Sequence, residues 1–502
     1  MLRSQILVLA MALALPGLAL AASHVPHQVC CRLVEGCSIE DINGRWGTTV
    51  VSALPERNIF LLNIEGVDDI EAFTREMSAD PGILVAGANY EFQTPEAVRE
   101  MVIAAVGGNW DDYQDQSLTM RIGLAEAHEI SRGGGIVIAV LDTGIDPDHI
   151  AFAGRLSSLG YDFIDDDADP RETANGLDED EDGAVDEGFA HGTMVAGIVA
   201  LIAPEATILP IRVLDDEGRG TVYGVIRGIL YAMEQGADVY NMSFGAPAEV
   251  TVLWPEIEEA AAGGAILVAG AGNEGREYPP YYPACDPNVC MVTAVDSLDV
   301  KSAFADFNDA VMLSAPGERV RSAYPGGAWG IGSGCSFAAP FVSGEAALVL
   351  SLVRLHDEDE DGWREEASER IEEATLDIYG IAANEPFADL LGEGRILLPE
   401  ALRDLAAAVD GPAPRLDLHA WPNPAAGSVH LRLDSGFAMS DRAKIAIVDV
   451  NGRIVRVLDT AGKSDCLWDG CDDSGRPVSS GLYWARLRNA SGGAEIPLRR
   501  VR

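Results

Sequence analysis

The clearest indication of the fold of this chain of 502 residues is the stretch Ile136-Val137-Ile138-Ala139-Val140-Leu141-Asp142-Thr143-Gly144. Six consecutive apolar residues are typical of a strand that is buried on both faces of a sheet. An acidic residue, a threonine and a glycine then end the run abruptly. The stretch therefore predicts an interior strand of a parallel sheet, with a carboxylate at its carboxyl end.

Strands and helices alternate on either side of this stretch. Further strands are predicted at 207–214, 238–243 and 265–270, and helices at 193–203, 222–234 and 255–262. This alternation predicts an α/β fold in which helices cover both faces of a parallel sheet. Functional residues of such a sheet gather at the carboxyl ends of its strands.

Smaller regions flank the α/β domain, which we assign to residues 118–409. Residues 25–94 combine predicted strands and helices in a small α+β block. A linker is expected at 95–117, and a short Pro-rich linker at 410–415. The hydrophobic period then becomes two, which predicts a β-sandwich at 416–502.

The first 21 residues have the layout of a secretory signal peptide. A short basic start, Met1-Leu2-Arg3, precedes an apolar run that ends in Ala19-Leu20-Ala21. A membrane anchor is the alternative, but the run is short and Pro16-Gly17 interrupts it. The best later apolar stretch, at 337–352, carries a glutamate. We therefore expect an exported protein with no stable membrane insertion.

The charge balance excludes one class of partner. The chain has 35 Lys and Arg residues against 80 Asp and Glu residues, a formal net charge of −45. Such a surface repels phosphate groups, so we expect no nucleic-acid partner. Hydrophobic residues make up 48% of the sequence, which is enough for globular cores.

Three motifs place an acid, a base and a nucleophile at the ends of predicted elements. They are Asp142-Thr143-Gly144, His191-Gly192-Thr193 and Gly334-Cys335-Ser336; the His comes 49 residues after the Asp, and the Ser 145 residues after the His. A serine hydroxyl becomes nucleophilic when an imidazole takes its proton, and a carboxylate fixes the tautomer of that imidazole. The three residue types in this arrangement therefore predict nucleophilic catalysis.

With these motifs the chain resembles the subtilases, the subtilisin-like serine proteases. The order Asp, His, Ser is the one found in that family. The matching segments are Val140-Leu141-Asp142-Thr143-Gly144-Ile145-Asp146, His191-Gly192-Thr193-Met194-Val195-Ala196-Gly197, Ala269-Gly270-Ala271-Gly272-Asn273 and Ser333-Gly334-Cys335-Ser336-Phe337-Ala338-Ala339-Pro340. The resemblance implies a subtilisin-like sheet and a serine endopeptidase with Asp142, His191 and Ser336 as catalytic residues.

The resemblance also implies how a substrate would bind. The side chain of Asn273 and the backbone N–H of Ser336 would stabilise the oxyanion. A peptide would add as an extended strand, and such main-chain pairing implies broad activity on proteins and peptides. The implied substrate-binding residues are Ser243, Phe244, Gly245, Ala271 and Gly272.

The N-terminal block fits the same family. Gly82-Ile83-Leu84-Val85-Ala86-Gly87-Ala88-Asn89-Tyr90 resembles the end of a subtilase inhibitor propeptide. The resemblance implies a zymogen whose own propeptide is its inhibitor, with the cleavage site between Tyr90 and Ile122. An unrelated small domain is the alternative. We expect a monomer.

Two positions depart from the family pattern. Cys335 stands before the serine where the family usually has Thr, and Met194 stands where many relatives have a second His. A Cys335 nucleophile is a further alternative, although this residue lacks the helix-entry position of Ser336. In another class of function, the scaffold would be inactive and the protein would be a surface adhesin.

The acidic segment 162–187 suggests a cofactor, because it holds thirteen acidic residues and one basic residue. Acids at alternate positions followed by Gly183 match the way carboxylates wrap around Ca²⁺. The predicted ligands of a structural calcium ion are Asp178, Asp180, Asp182, Asp186 and Glu187. A solvated acidic loop is the alternative. A second acidic run, at 357–362, is interpreted as a solvated face.

The eight cysteines fit an exported protein in part. Cys285 and Cys290, like Cys466 and Cys471, are five residues apart and could close small disulfide loops. Metal binding is the alternative, but further ligands are missing near these pairs.

The C-terminal region contains Trp421-Pro422-Asn423-Pro424 and Ser480-Gly481-Leu482-Tyr483-Trp484. It resembles the Ig-like fold of flagellar hook-capping proteins and the C-terminal sorting domains of type IX-secreted bacterial proteins. The resemblance implies a secreted protein or one delivered to the bacterial cell surface. The alternative is an appended β-sandwich that serves as a binding module or as a spacer.

Overall fold

The computed structural model describes most of the chain. The described residues are 23–99, 103–178, 183–279, 281–356, 362–408, 418–421, 427–433, 444–449, 454–459, 465–472, 475–489 and 492–500. The predicted signal peptide and the predicted linker at 410–415 lie outside these residues.

An antiparallel sheet and two helices form the N-terminal block. Its elements are β1 (His24–Leu33), α1 (Ile39–Trp46), β2 (Thr49–Leu54), β3 (Ile59–Asn63), α2 (Ile70–Ser78) and β4 (Ile83–Gln93). The hydroxyl of Ser38 caps α1 by accepting the backbone N–H of Glu40 and Asp41. β4 is the last element of the block and carries the chain out of it.

Short elements occupy the segment that we predicted as a linker at 95–117. They are α3 (Pro95–Arg99), β5 (Ala104–Val106), α4 (Trp110–Gln114) and the start of α5 (Ser117–Arg121), and α6 (Leu124–His128) follows. Tyr113 is fully buried, and its hydroxyl donates a hydrogen bond to the carbonyl of Gly197 at 2.5 Å. Contacts of this kind, between residues far apart in the sequence, hold the segment 95–117 in place. Because they leave no periodic pattern in the sequence, the segment resembles a linker.

A largely parallel sheet forms the centre of the α/β domain. Its strands are β6 (Val137–Asp142), β7 (Tyr161–Asp162), β8 (Thr207–Arg212), β10 (Val239–Met242), β11 (Ile266–Gly270), β12 (Val289–Val295), β13 (Val311–Pro316), β16 (Thr375–Leu376) and β17 (Arg395–Ile396). In the described part of the chain their order is β16-β17-β13-β12-β11-β10-β6-β8-β7, and only the β16–β17 pair is antiparallel. The predicted α/β fold with a central parallel sheet is confirmed.

Helices cover this sheet. They are α7 (His191–Ile202), α8 (Val222–Glu234), α9 (Trp254–Ala262), α10 (Cys335–His356), α11 (Trp363–Glu373) and α12 (Leu398–Ala408). α7 is buried along its whole length and packs against α10, which also contacts β10 to β13. By length and composition, Cys335–Arg354 is the one helix of the described residues that could cross a membrane, but 94% of its apolar window is buried inside the protein. It therefore serves as a core helix.

Three further strands lie at the edges of the domain. They are β9 (Arg219–Thr221), β14 (Val320–Tyr324) and β15 (Ala328–Gly332). β15 pairs with both β14 and β5. β9 pairs with the end of β4, so the sheet of the N-terminal block continues onto the α/β domain.

The C-terminal region is rich in β-structure. Its strands are β18 (Leu418–Trp421), β19 (Val429–Leu433), β20 (Lys444–Asp449), β21 (Ile454–Asp459), β22 (Asp465–Trp468), β23 (Gly481–Asn489) and β24 (Gly492–Arg500). Among its described residues they form two antiparallel sheets, β18-β19-β22 and β21-β20-β23-β24. Leu431, Ile447 and Trp468 belong to one shared hydrophobic cluster, as a β-sandwich requires.

The predicted disulfide loops are not formed, because none of the eight cysteines is joined in a disulfide. Cys290 lies inside β12 beside Val268 of β11 and is buried. The sulfur of Cys285 instead lies 3.8 Å from the sulfur of Met291. Cys466 and Cys471 are likewise not joined to each other in a disulfide. Five-residue spacing therefore did not bring the sulfurs of either pair into bonding position.

Candidate active site

Asp142 and His191 meet at the carboxyl edge of the sheet. Asp142 is the last residue of β6, and His191 is the first residue of α7. His191 Nδ1 lies 2.6 Å from Asp142 Oδ1, and both residues are buried. The backbone N–H of Thr143 donates to the same carboxylate oxygen at 2.8 Å. The carboxylate is thereby oriented toward the imidazole.

Glycines allow the two motifs to approach each other. A Cβ atom at Gly192 would lie 2.1 Å from the carbonyl oxygen of Gly144, which itself has a φ of +110°. Any side chain at position 192 would therefore push β6 and α7 apart. The glycines after Asp142 and His191 in the sequence motifs are explained by this close contact.

Ser336 lies in the first turn of α10 and is buried. The carbonyl oxygen of Ser336 accepts a hydrogen bond from Ser243 Oγ at 2.8 Å. The backbone N–H of the preceding Cys335 donates to Asn273 Oδ1 at 2.8 Å. Asn273 follows the end of β11, so all four predicted residues gather where the strands end.

Glu96 of α3 joins these residues, and the sequence analysis missed it. One oxygen of its carboxylate, Oε1, accepts hydrogen bonds from Ser336 Oγ and, at 2.8 Å, from Asn273 Nδ2. The other oxygen, Oε2, lies 3.1 Å from His191 Nε2. No motif marks Glu96, because its environment arises only when the N-terminal segment folds over the α/β domain.

The two carboxylates determine the protonation of His191. Burial alone lowers the pKa of His191, but the charge of Asp142 and the hydrogen bonds to Asp142 and Glu96 outweigh it and raise the pKa to about 10. The imidazole is therefore protonated at neutral pH in this state, and each ring N–H donates to a carboxylate.

The chain's own segment Glu91–Thr94 lies beside the predicted substrate-binding residues 243–245. Gln93 and Gly245 exchange backbone hydrogen bonds, both at 3.0 Å. On the other side Gln93 pairs with Arg219, and the N–H of Thr94 donates to the carbonyl of Gly218 at 2.9 Å. The segment is therefore held between β9 and the backbone of Gly245, as an extended peptide would be.

Side-chain contacts of this segment involve two more predicted residues. Phe92 is fully buried and packs edge-to-face on Phe244, with 5.5 Å between the ring centroids. Ser243 lies deeper, against Ser336. The structure thus places Ser243, Phe244 and Gly245 along one side of the cleft.

Ala271 and Gly272 lie in the turn between β11 and Asn273. Ala271 is buried and its N–H donates to the carbonyl of Val292 at 2.9 Å. A Cβ atom at Gly272 would lie 2.3 Å from Asp306 Oδ2, and the φ of Gly272 is +108°. These two residues shape the turn that positions Asn273.

Glu172 is a second buried carboxylate that the sequence analysis missed. It accepts hydrogen bonds from the hydroxyls of Thr143 and Thr193 and from the N–H of Ala190, which precedes His191 in a left-handed conformation. Burial raises its pKa to about 7, although the bond from Thr193 opposes this shift. Glu172 therefore ties the Asp142 motif to the His191 motif. In the sequence Glu172 cannot be told apart from the twelve other acidic residues of 162–187.

The predicted calcium ligands are only partly described, since Asp180 and Asp182 lie outside the described residues. Asp178 accepts the N–H of Gly183 at 3.1 Å, and Asp186 accepts the N–H groups of Asn175 and Gly176. Across the described residues, no three His, Cys, Asp or Glu side chains are grouped to hold a metal ion. The described part of the set therefore does not form a calcium site by itself.

Cys335 is a poor candidate nucleophile. Burial raises the pKa of its thiol to about 12, with smaller contributions from Asp306 and Glu96. The thiolate is the reactive form of cysteine, so this thiol is unreactive near neutral pH.

Comparison with known proteins identifies the family. The sequence pattern described as the subtilase family matches residues 133–385. Thermitase of Thermoactinomyces vulgaris is 36% identical over 244 residues, which make up 47% of this chain and 81% of thermitase. An intracellular serine protease of Paenibacillus polymyxa is 38% identical over 236 residues, or 44% of this chain and 68% of that protein.

One solved structure resembles nearly the whole chain. Fervidolysin from Fervidobacterium pennivorans, described as a keratinolytic enzyme related to subtilisin, matches with a TM-score of 0.60 over 92% of this chain and 71% of its own. At 20% identity this match supports the fold alone. The family match and the curated relatives together show that the chain belongs to the subtilase family and is a serine-type endopeptidase.

Proposed function

We propose that the protein hydrolyses peptide bonds of proteins through an acyl-enzyme on Ser336. One observation carries this proposal: Ser336 Oγ, His191 Nε2 and Asn273 Nδ2 all contact the single carboxylate of Glu96. A nucleophile, a base and an oxyanion donor therefore surround one point. A substrate carbonyl group placed there would be within reach of all three.

The catalytic steps follow once this point is free for substrate. Ser336 Oγ attacks the carbonyl carbon, and His191 Nε2 takes the hydroxyl proton. Asp142 orients the ring and stabilises the imidazolium, while Asn273 Nδ2–H and the N–H of Ser336 stabilise the oxyanion. His191 then gives the proton to the leaving amine, and water releases the acyl group from Ser336 by the reverse sequence.

The N-terminal block acts in this proposal as an inhibitory propeptide. Its side chains make ion pairs with α9: Arg32 Nη1 lies 3.1 Å from Glu256 Oε1, and Arg57 pairs with Glu259. Asn89 accepts the N–H of Tyr223 at the start of α8 at 3.1 Å. With β4 paired to β9, these contacts hold the block over the cleft. Cleavage after Tyr90 and before Ile122 would release it.

Export and delivery belong to the same proposal. Residues 1–21 would direct secretion, and the β-rich C-terminal region would act as a sorting domain at the bacterial surface. The high negative charge of −45 favours solubility outside the cell and a monomer that does not self-associate.

A structural calcium ion at 178–187 remains a prediction. Its support is the acidic spacing and the burial of Glu187 Oε1, which accepts no hydrogen bond among the described residues. Calcium should raise the melting temperature of the protein, and EDTA should lower it, because an ion bound to the native state stabilises that state. Magnesium is the control ion. Equal melting temperatures with calcium and with EDTA would remove the prediction.

A serine-directed fluorophosphonate probe tests the proposed chemistry. The processed wild-type protein should be labelled on the peptide that contains Ser336 and should hydrolyse a protein substrate. Ser336→Ala should do neither. Absence of label from a folded and processed wild type would favour the inactive adhesin.

A further inference from the structure

The chain enters the cleft like a substrate and then leaves the substrate path. Glu91–Thr94 is extended and pairs with both walls of the cleft. The next residue, Pro95, begins α3, so the backbone turns into a helix at the point where a bound substrate would continue past the serine. The side chain that then points at the catalytic atoms is that of Glu96.

The Glu96 carboxylate fits this position closely. The residue is buried, with 2% of its surface exposed. Gly334 provides the space: a Cβ atom there would lie 1.7 Å from Glu96 Oε1 and 2.9 Å from Asn273 Nδ2. The carboxylate thus occupies a gap beside Ser336 that exists because position 334 has no side chain.

Its contacts match those of a reaction intermediate. Asn273 Nδ2 would donate to the oxyanion of the substrate, and here it donates to Glu96 Oε1. His191 Nε2 would accept the serine proton, and here it faces Glu96 Oε2. The hydroxyl of Ser336 donates its hydrogen bond to Glu96 rather than to His191.

The surroundings reinforce this arrangement electrostatically. His191 is the cationic partner of the carboxylate, and Asp142 stabilises that cation from the far side of the ring. The charge of Glu96 also contributes to the raised pKa values of Tyr281 and Cys335, although burial is the larger cause for both. A protonated His191 has no lone pair for the proton of Ser336.

We propose that Glu96 is an internal inhibitor, whose carboxylate binds the nucleophile, the base and the oxyanion donor of the uncut chain at once. The inference rests on the proposed serine-protease function. The N-terminal block already covers the cleft. Glu96 would inhibit in a second way, because it forms hydrogen bonds with Ser336, His191 and Asn273 themselves. Opening of the zymogen then requires Glu96 to leave, together with the extended segment before it.

The rate at which Ser336 of the uncut chain reacts with a fluorophosphonate tests this inference. The probe is present while the full chain refolds, and intact mass spectrometry counts the label on the full-length species apart from the processed species. Wild-type full-length chain should be labelled slowly. Glu96→Ala should be labelled at least about tenfold faster, because each engaged group is released.

Two further variants keep the result interpretable. Glu96→Gln retains an oxygen for Ser336 and Asn273 but loses the charge beside His191, so its rate should lie between the other two. Glu76→Ala is the matched control, because this glutamate is exposed on α2 of the same N-terminal block, away from the cleft segment. It should react like the wild type.

The outcomes separate the inference from the proposed function. Equal labelling rates of full-length wild type, Glu96→Ala and Glu96→Gln, with normal labelling of their processed forms, would overturn the inhibitor role alone. If no species of any variant were labelled, including processed wild type, the serine-protease proposal itself would fail.

Discussion

Two carboxylates flank the ring of His191, and they come from different regions of the molecule. Asp142 belongs to β6 of the α/β domain and contacts Nδ1 at 2.6 Å, whereas Glu96 belongs to α3 of the preceding segment and contacts Nε2 at 3.1 Å. Both are buried and both favour the imidazolium. Asp142 leaves Nε2, the nitrogen that would face the serine, free, whereas Glu96 occupies it. In the roles that we propose, equivalent chemistry therefore supports catalysis on one side of the ring and inhibition on the other.

The largest expected effect comes from the Asp142 side. Asp142→Asn should lower kcat/KM of the processed enzyme by about 10⁴-fold, because the amide favours the wrong tautomer of His191 and cannot stabilise its charge. Glu96→Gln should leave kcat/KM of the processed enzyme unchanged. Steady-state kinetics on a peptide substrate would measure both. A large loss in processed Glu96→Gln would contradict the assignment of the two carboxylates to opposite roles.

Asn273, the proposed oxyanion donor, donates to Glu96 in this structure and would donate to substrate once Glu96 has left. Asn273→Ala should therefore lower kcat by about 10²–10³-fold with little change in KM. Asn273→Asp keeps an acceptor for the N–H of Cys335, so it should lose activity while retaining more stability. Loss of substrate affinity without loss of kcat would be inconsistent with this role.

Substitutions of Glu172 would show whether a carboxylate that does not touch substrate still affects the rate of catalysis. Glu172→Ala removes three hydrogen bonds between the two motifs and should lower kcat/KM by about 10- to 100-fold through misplacement of His191. Glu172→Gln should restore part of the activity. Asp169→Asn, an exposed position in the same loop, is the control and should have no effect.

The same residue gives the protein a pH-dependent stability. The pKa of Glu172 is about 7 in the folded state, above its ordinary value, so the folded state binds more protons than the unfolded state in that window. The protonated carboxyl of Glu172 therefore stabilises the folded state fully below about pH 4.5, and this stabilisation is lost as the pH rises through 7. Denaturant titrations of Ser336→Ala across this range, with and without Glu172→Gln, would measure it. Identical pH dependence in both would contradict the assignment.

The smallest effect concerns the surface that holds the N-terminal block in place. In the unprocessed Ser336→Ala chain, Arg32→Ala should lower the free energy of unfolding by about 1 kcal/mol, because Glu256 would lose the partner of its buried carboxylate. Arg57→Ala should cost less, since both members of its pair are partly exposed. High salt should reduce both effects. A larger loss for Arg57→Ala would reverse this ranking.

The comparison of the two carboxylates also indicates what the sequence could predict. Asp142 follows an apolar strand and begins a recognisable motif, so its place at the sheet edge followed from local pattern. Glu96 lies in a segment with no period, which was interpreted as a linker. Its position depends on the pairing of β4 with β9 and on the space at Gly334. Neither contact leaves a signal within the segment itself.

Other features of the molecule likewise divide into those that local sequence predicts and those that it does not. The alternation of strands and helices predicted the central sheet, because burial on both faces leaves continuous apolar runs. The cysteine spacing predicted disulfides that are absent, since sequence distance does not determine the direction in which side chains point. Glu172 was hidden because buried and exposed acids look alike in an acidic segment. What the sequence predicted was local, and what it missed depends on contacts across the fold.

Processing of the chain by its own serine is the decisive experiment. The intact mass of refolded wild type and of Ser336→Ala would be compared after equal incubation. Only the wild type should lose the N-terminal block, with its new N-terminus between Tyr90 and Ile122. Equal trimming of both proteins, or two full-length proteins of which neither reacts with a fluorophosphonate, would contradict it.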